Sequence, residues 1–189
     1  MKTCLLVLVP VLTLAVATSS FAQNADPHVK AFTIQFEAAK NYVTKSAEKV
    51  SEDLYSFKPT PEVRSFGAIL AHIADGNYLF CSKVKGEESP SAMMAVEKGK
   101  TTKADIQKAL AESYAYCDAA IAGVPAAQLA DKADFFGMEQ TKLSMIGFAS
   151  VHSFEHYGNL VTYMRLKNIV PPSSEPRPTP TSGESTPGN

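Results

Sequence analysis

The chain has 189 residues, of which 45% are hydrophobic and 20% are charged, enough for one ordinary domain but not for two separate cores. Lysine and arginine number 18 against 19 for aspartate and glutamate, so the formal net charge is −1. A nearly neutral chain without basic runs lacks the electrostatic footprint of proteins that bind nucleic acids. The apolar fraction excludes a disordered chain, and three cysteines are too few for a disulfide scaffold.

The first 22 residues have the organisation of a secretory signal peptide. Lys2 provides a positive start, residues 5–17 form an apolar stretch, and Ser20-Phe21-Ala22 supplies small residues at a cleavage site. The apolar stretch is too short to cross about 30 Å of hydrocarbon. We therefore expect cleavage after Ala22, a secreted or periplasmic protein, and no stable membrane insertion after cleavage.

The chain ends in a segment that is not expected to fold. Residues 171–189 contain six of the 12 prolines and seven serines or threonines, without a large apolar residue. Such a segment cannot bury enough surface to offset the entropy lost on ordering. We expect a disordered tail at 171–189 and a folded domain over residues 27–170.

Two amphipathic helices are predicted in the first half of this domain. Asp26 and Pro27 provide an N-cap side chain and a proline at the first helical position. Apolar residues then recur at steps of three and four, and the helix is expected to end near Phe57. Ser65 caps a second helix, whose apolar side extends to Phe80.

Two further helices follow a polar segment, 86–101, that is long enough to cross a bundle from end to end. Thr102 and Asp105 resemble a capping box at the start of the third helix, which ends near Gly123. The fourth helix is expected from about Lys142 to Lys167. No segment alternates apolar and polar residues as a half-buried strand would. These patterns predict an all-α fold, a four-helix bundle with a long crossover between the second and third helices.

Three of the four histidines fall on sides of the helices that face the core. His152 and His156 are one turn apart on the fourth helix, and His72 lies on the second helix between the small residues Ala68 and Gly76. Buried imidazoles need partners for a donor and an acceptor each. A divalent metal that takes one nitrogen from each ring meets this need and leaves positions free, as catalytic sites do.

The ligand set does not select one metal, because Zn²⁺, Ni²⁺ and Fe²⁺ all accept imidazole nitrogens. The alternative is that His152 and His156 are core histidines hydrogen-bonded to polar neighbours on the same helix. Asn159 and Tyr163 are such neighbours, and they are also candidates to line a pocket. His28, in the first turn of the first helix, is interpreted as a surface residue.

Asp75 and Glu155 are candidate proton acceptors or orienting partners for the histidines. Asp75 lies one turn after His72, where it could accept an imidazole N–H or a proton from coordinated water. Residues 152–156 also fit His-x-x-Glu-His, the inverted zinc-peptidase signature, in which Glu155 would be the general base. That interpretation needs an acidic third ligand downstream, and the acidic residues after His156 lie only in the tail, so it is disfavoured.

The ordered set of these motifs resembles the DinB superfamily. Residues 65–75, SFGAILAHIAD, resemble its second helix, and residues 152–160, HSFEHYGNL, with the segments 163–167 and 170–172, resemble its last helix and exit. The resemblance spans nearly all of residues 27–172. It implies an up-down-down-up bundle and a metal held by His72, His152 and His156.

The members of the superfamily that this chain resembles include thiol-dependent transferases and isomerases that use bacillithiol or mycothiol. This chain departs from them in its export signal, because those thiols are not expected to be abundant outside the cytoplasm. The departure weakens the inference of thiol transfer and leaves the inference of a metal site intact.

Two cysteines follow the signal peptide. Cys81 lies 16 residues after Ser65, and Cys117 lies 15 residues after Thr102. If the second and third helices are parallel neighbours, the two sulfurs are level, and an exported protein permits a bridge. We expect two buried free thiols, with the disulfide as the alternative.

The sequence therefore predicts an exported DinB-like metalloprotein, a metal-dependent hydrolase or transferase that acts on a small molecule. The alternative is a non-catalytic binding or structural module with a structural or vestigial metal site. No nucleic-acid partner is expected, and a homodimer is left open.

Overall fold

The computed structural model describes residues 26–176, so the predicted signal peptide and residues 177–189 of the predicted tail lie outside the described residues. Within this range the chain is mainly helical. The helices are α1 (Pro27–Lys49), α2 (Phe66–Lys85), α3 (Ala95–Gly99), α4 (Lys103–Gly123) and α5 (Lys142–Leu166), and the strands are β1 (Lys132–Phe135) and β2 (Met138–Thr141). Three 3₁₀ helices, Glu52–Ser56, Ala126–Gln128 and Pro172–Ser174, complete the regular structure of the described range.

The predicted helix starts are confirmed by side-chain caps. The Asp26 carboxylate accepts hydrogen bonds from the N–H groups of His28 and Val29. Ser65 Oγ accepts from the N–H of Ala68 at 3.1 Å, and Thr102 caps α4 in the same way. Each cap satisfies backbone donors of the first helical turn that have no partner inside the helix.

The long helices follow an up-down-down-up order. α2 and α4 are parallel, since Asn77 contacts Ser113 and, one turn later on both helices, Cys81 is joined to Cys117. α2 is antiparallel to α5, since Arg64, just before α2, contacts Tyr163 near the end of α5, and Gly76, farther along α2, lies against the earlier residue His152. α1 and α5 are parallel: Phe32 accepts from Ser150, and further along both helices the rings of Tyr42 and Tyr157 stack. The all-α bundle and its topology are confirmed.

The expectation of free thiols is wrong, because Cys81 and Cys117 form a disulfide with a Cα–Cα distance of 5.2 Å. The two residues are almost equally far from the starts of two parallel neighbouring helices, which brings them level. Both cysteines are fully buried. The bridge thus ties α2 to α4 inside the core.

The first helix ends earlier than predicted. α1 stops at Lys49, and Val50 has extended backbone with φ −79° and ψ 130°. The turn lets the Tyr55 hydroxyl donate to the Ala47 carbonyl at 2.6 Å, and Lys103 from α4 donates to the Val50 carbonyl at 2.7 Å. The carbonyls at the end of α1 thus find hydrogen-bond partners outside the helix, and α1 ends well before Pro59 and Pro61.

The β1–β2 hairpin was not predicted. Its two-residue turn, Phe136-Gly137, has positive φ at both positions (52° and 78°), the arrangement of a tight hairpin turn. Ala133 is buried, whereas the other residues of the two strands are partly or fully exposed. Without a buried face the strands do not carry the alternating pattern by which a strand is recognised.

The start of the predicted tail packs on the bundle. The Tyr157 hydroxyl donates to Ser173 Oγ at 2.7 Å and accepts from the Ser173 N–H at 2.9 Å. Pro172 is buried, and Lys49 forms an ion pair with Glu175 at 2.6 Å. Residues 171–176 thus belong to the ordered domain, since hydrogen bonds and proline burial supply the contacts that large apolar residues do not.

None of the helices between residues 26 and 176 is both long enough and apolar enough to cross a bilayer.

Candidate metal centre

Three imidazoles meet between α2 and α5. His72 comes from α2, and His152 and His156 come from successive turns of α5. The Nε2 atom of His152 lies 3.3 Å from Nε2 of His72 and 3.2 Å from Nε2 of His156. One ligand nitrogen of each ring lies within 4.8 Å of those of the other two. The structure therefore brings together the three residues that the sequence singled out.

A glycine makes room for this arrangement. A Cβ at Gly76 would lie 2.7 Å from His152 Nδ1, closer than side-chain atoms approach one another. Gly76 is one of the two small residues that flank His72, and the space it leaves is occupied by the ring of His152 from α5. Because α2 and α5 are antiparallel and packed closely here, an absent side chain on one helix admits a ring from the other.

The carboxylate of Glu97 orients the ring of His72. Glu97 Oε2 lies 3.2 Å from His72 Nδ1, while Oε1 accepts a hydrogen bond from Arg64 Nε at 2.9 Å. A carboxylate on one ring nitrogen favours the proton there and directs the lone pair of Nε2 toward the other two histidines. Glu97 lies on α3 in the crossover, and sequence reasoning did not identify it.

The carboxylate of Asp75 binds the backbone of α3 and not the ring of His72. Its two carboxylate oxygens accept hydrogen bonds from the N–H groups of Val96 and Glu97, at 3.0 and 2.9 Å. Asp75 thus caps the start of α3 and fixes the backbone of the residue that reaches His72. The orienting carboxylate at His72 is Glu97 and not Asp75.

Glu155 is exposed on α5, and no hydrogen bond to a histidine is described for it within residues 26–176. Its charge raises the pKa of His156, against the larger lowering effect of burial. The cluster of potential ligands consists of the three histidines and has no acidic member, which disfavours the peptidase interpretation further. His28 is exposed, as predicted.

Burial lowers the pKa of all three imidazoles. The pKa of His152 falls to about 3 and that of His156 to about 4, mainly because burial disfavours the charged rings and additionally because neighbouring histidines repel a second charge. The pKa of His72 is also lowered, first by burial and then by the charge of Arg64. All three rings are therefore neutral at neutral pH, the state in which imidazole binds metals.

Hydrogen bonds alone leave this nitrogen cluster incompletely satisfied. His152 Nε2 faces the Nε2 atoms of both other rings, but it carries either one hydrogen or one lone pair and cannot serve both. His152 Nδ1 is buried and has no hydrogen-bond partner among the described residues. His156 Nδ1 lies 3.4 Å from the Asn159 amide. Three converging neutral nitrogens fit a divalent cation, which accepts a lone pair from each.

A solvent-open pocket of about 470 Å³ adjoins the histidine cluster at His156. Its lining includes His156, Glu97 and Arg64, and also Asn159 and Tyr163, as expected for the last two. The volume suits a small molecule, and the lining carries charged and amide groups that can fix its orientation.

A four-helix bundle with three inward histidines at the edge of a pocket defines a class, the bundle proteins with a three-histidine candidate metal site. Within that class, residues 35–160 match the family model of the DinB superfamily, and the chain belongs to this superfamily.

Two comparisons identify similar proteins. The uncharacterized protein YjoA of Bacillus subtilis is 30% identical over 135 residues, which cover 69% of this chain and 84% of YjoA. The crystal structure of a DinB-like protein, YjoA from Bacillus subtilis, matches with a TM-score of 0.60 and 25% identity, over 73% of this chain and 92% of that one. The family expected from the motifs is therefore confirmed.

Proposed function

We propose that His72, His152 and His156 hold a divalent cation, and that the protein is a metal-dependent hydrolase or transferase acting on a small molecule. The observation that supports this is the convergence of three neutral ring nitrogens beside a solvent-open pocket. Zn²⁺, Ni²⁺ and Fe²⁺ each accept such ligands. A site that uses three protein nitrogens leaves room for a substrate atom, which distinguishes catalytic from closed structural sites.

Different residues of the chain would hold the cation, orient its ligands and border the substrate. When bound, the cation supplies Lewis acidity that polarises an oxygen of the substrate. Glu97 keeps the Nε2 atom of His72 directed at the cluster, and Asp75 keeps Glu97 in place through the start of α3. Asn159 and Tyr163 border the space in which the substrate would lie.

The first test is metal content. Protein purified without a histidine tag is expected to hold about one divalent ion per chain, measured by inductively coupled plasma mass spectrometry. His156→Ala removes one of three ligands and is expected to lose most of the metal, whereas His28→Ala, at an exposed position, retains it. Equal metal content in the two variants would contradict the site.

The second test is turnover. The metal-loaded protein is expected to hydrolyse activated esters or amides, and His156→Ala to lose this activity while its far-ultraviolet circular dichroism is retained. Unfolding on chelation, together with the absence of hydrolysis and of transfer to added thiols, would instead favour a structural module.

We also propose that the protein is exported. The disulfide between α2 and α4 supports this, because bridges persist in oxidising compartments. Amino-terminal sequencing of protein from the periplasm or medium is expected to begin at Gln23. Full-length protein confined to the cytoplasm would contradict the proposal.

A further inference from the structure

Arg64 presents a guanidinium to the pocket beside the candidate metal centre. The hydroxyl of Tyr163 donates a hydrogen bond to the Arg64 carbonyl at 2.9 Å, which fixes the backbone of Arg64. Its Nε donates to Glu97 Oε1, and Glu97 Oε2 contacts His72. The Arg64 side chain therefore lines the pocket and is connected to the histidine cluster through the carboxylate of Glu97 and the ring of His72.

The two terminal amino groups of Arg64 have no hydrogen-bond partner described within residues 26–176, and its side chain is 39% exposed. Because Nε is the guanidinium nitrogen that is used within residues 26–176, the terminal nitrogens remain for a ligand. A guanidinium whose orientation is already fixed loses little entropy when it binds a planar oxyanion with two parallel hydrogen bonds.

The charges around the pocket favour a singly charged group. Glu97 offsets part of the charge of Arg64, and Glu62 adds a second carboxylate to the lining. A dianion such as phosphate meets more repulsion from these carboxylates than a monoanion does. A carboxylate also matches the planar fork of arginine.

We propose that Arg64 is a specificity-determining residue that binds a carboxylate of the substrate, while another group of the same small molecule reaches the metal centre. This inference rests on the proposed metal site and adds the substrate class, short carboxylic acids with a second, metal-binding function.

The test compares two probes that differ only at the end distant from the metal-binding group. Succinic monohydroxamate carries a carboxylate where butyrohydroxamate carries a methyl group, and both contain the same hydroxamate for the metal. Binding to the Zn²⁺-loaded full-length protein is measured by isothermal titration calorimetry. We expect the carboxylate probe to bind about tenfold more tightly, a factor typical of one charge-assisted bidentate contact.

Arg64→Gln is expected to remove this difference, so that the variant binds the two probes with equal affinity. Arg64→Lys keeps the charge without the fork and is expected to restore only part of the difference. Arg165→Gln is the matched control, since it makes the same charge change at an exposed arginine that contacts Ser174.

Equal affinity of the wild-type protein for the two probes would overturn the inference, as would an Arg64→Gln variant that still binds the carboxylate probe about tenfold more tightly than butyrohydroxamate. If butyrohydroxamate itself fails to bind Zn²⁺-loaded protein, the metal centre has no accessible position and the proposed function fails first. Apoprotein is expected to bind neither probe tightly.

Discussion

At the scale of single residues, the shape of the site depends on side chains that are not themselves candidate ligands. Glu97 links His72 to Arg64 through its two oxygens, although it lies 25 residues from His72 in the chain. Gly76 contributes by having no side chain where the ring of His152 lies. The three imidazoles thus converge because Glu97 orients the ring of His72 and Gly76 leaves space for the ring of His152.

Replacing Glu97 by glutamine is expected to weaken metal binding without disrupting the fold. The amide keeps the size of the carboxylate but loses the charge that holds the His72 N–H, and such changes beside a ligand typically cost 10–100-fold in metal affinity. The dissociation constant for Zn²⁺ is measured by competition with a chromophoric chelator. Glu88→Gln, at an exposed crossover position, is the control. Unchanged affinity in Glu97→Gln would refute an orienting role.

Gly76→Ala is expected to impair metal binding more than stability. Alanine is the better helix former, but its Cβ would collide with the ring of His152, so that ring must move away from the other two. Gly158→Ala is a matched control on α5, because its Cβ would meet nothing within 4 Å. This control should gain roughly 0.5–1 kcal/mol in urea unfolding and keep its Zn²⁺ affinity. Similar metal affinity in the two variants would argue against the close approach.

At the scale of elements, the site is positioned by the packing of α2 between α4 and α5. α2 is tied to α4 by the disulfide and packs on α5 through the histidines. The crossover returns over α2 as α3, where Asp75 caps its first N–H groups. α2 therefore carries one candidate ligand, His72, leaves space for a second, His152, and holds the segment that bears the orienting carboxylate.

Removing the disulfide is expected to destabilise the protein without moving the histidines. The bridge closes a loop with a sequence separation of 36, for which the loss of entropy in the unfolded chain corresponds to about 3–4 kcal/mol. The free energy of unfolding in urea is compared for the wild-type protein and the double variant Cys81→Ala/Cys117→Ala. Zn²⁺ affinity should change little under native conditions. A loss of metal binding equal to that of His156→Ala would instead indicate that the bridge supports the site directly.

At the scale of the whole molecule, the buried histidines make stability depend on pH. Burial lowers the folded-state pKa of His152 to about 3 and of His156 to about 4, whereas the unfolded rings titrate near 6.5. As the pH falls below about 6.5, the unfolded chain takes up protons that the folded chain does not. The free energy of unfolding of the metal-free protein must therefore decrease toward acid.

The decrease is expected to approach about 1.4 kcal/mol per pH unit for each such histidine once the pH is well below 6.5. It is measured by urea unfolding of apoprotein between pH 7 and 5, above the range in which carboxylates dominate. His152→Gln should flatten the dependence, and His28→Ala, at the exposed site, should leave it unchanged. A slope that is the same in both variants would contradict the burial of a neutral His152.

The sequence by itself determined the existence of the four long helices, the family and the three histidines. Caps at Asp26, Ser65 and Thr102 are local interactions, so the starts of three long helices could be identified without knowledge of their neighbours. The spacing of His152 and His156 follows from the helical repeat alone. Predictions of this kind depend on residues a few positions apart.

Only the tertiary structure decided which groups surround those histidines. Glu97 and Arg64 come from the crossover and from the residue before the α2 N-cap, and their meeting with His72 depends on how α3 docks on α2. Asp75 is one turn from His72, yet its oxygens bind the backbone of α3. Local spacing fixes where a side chain leaves its own helix, whereas its partner depends on chain segments brought together by folding.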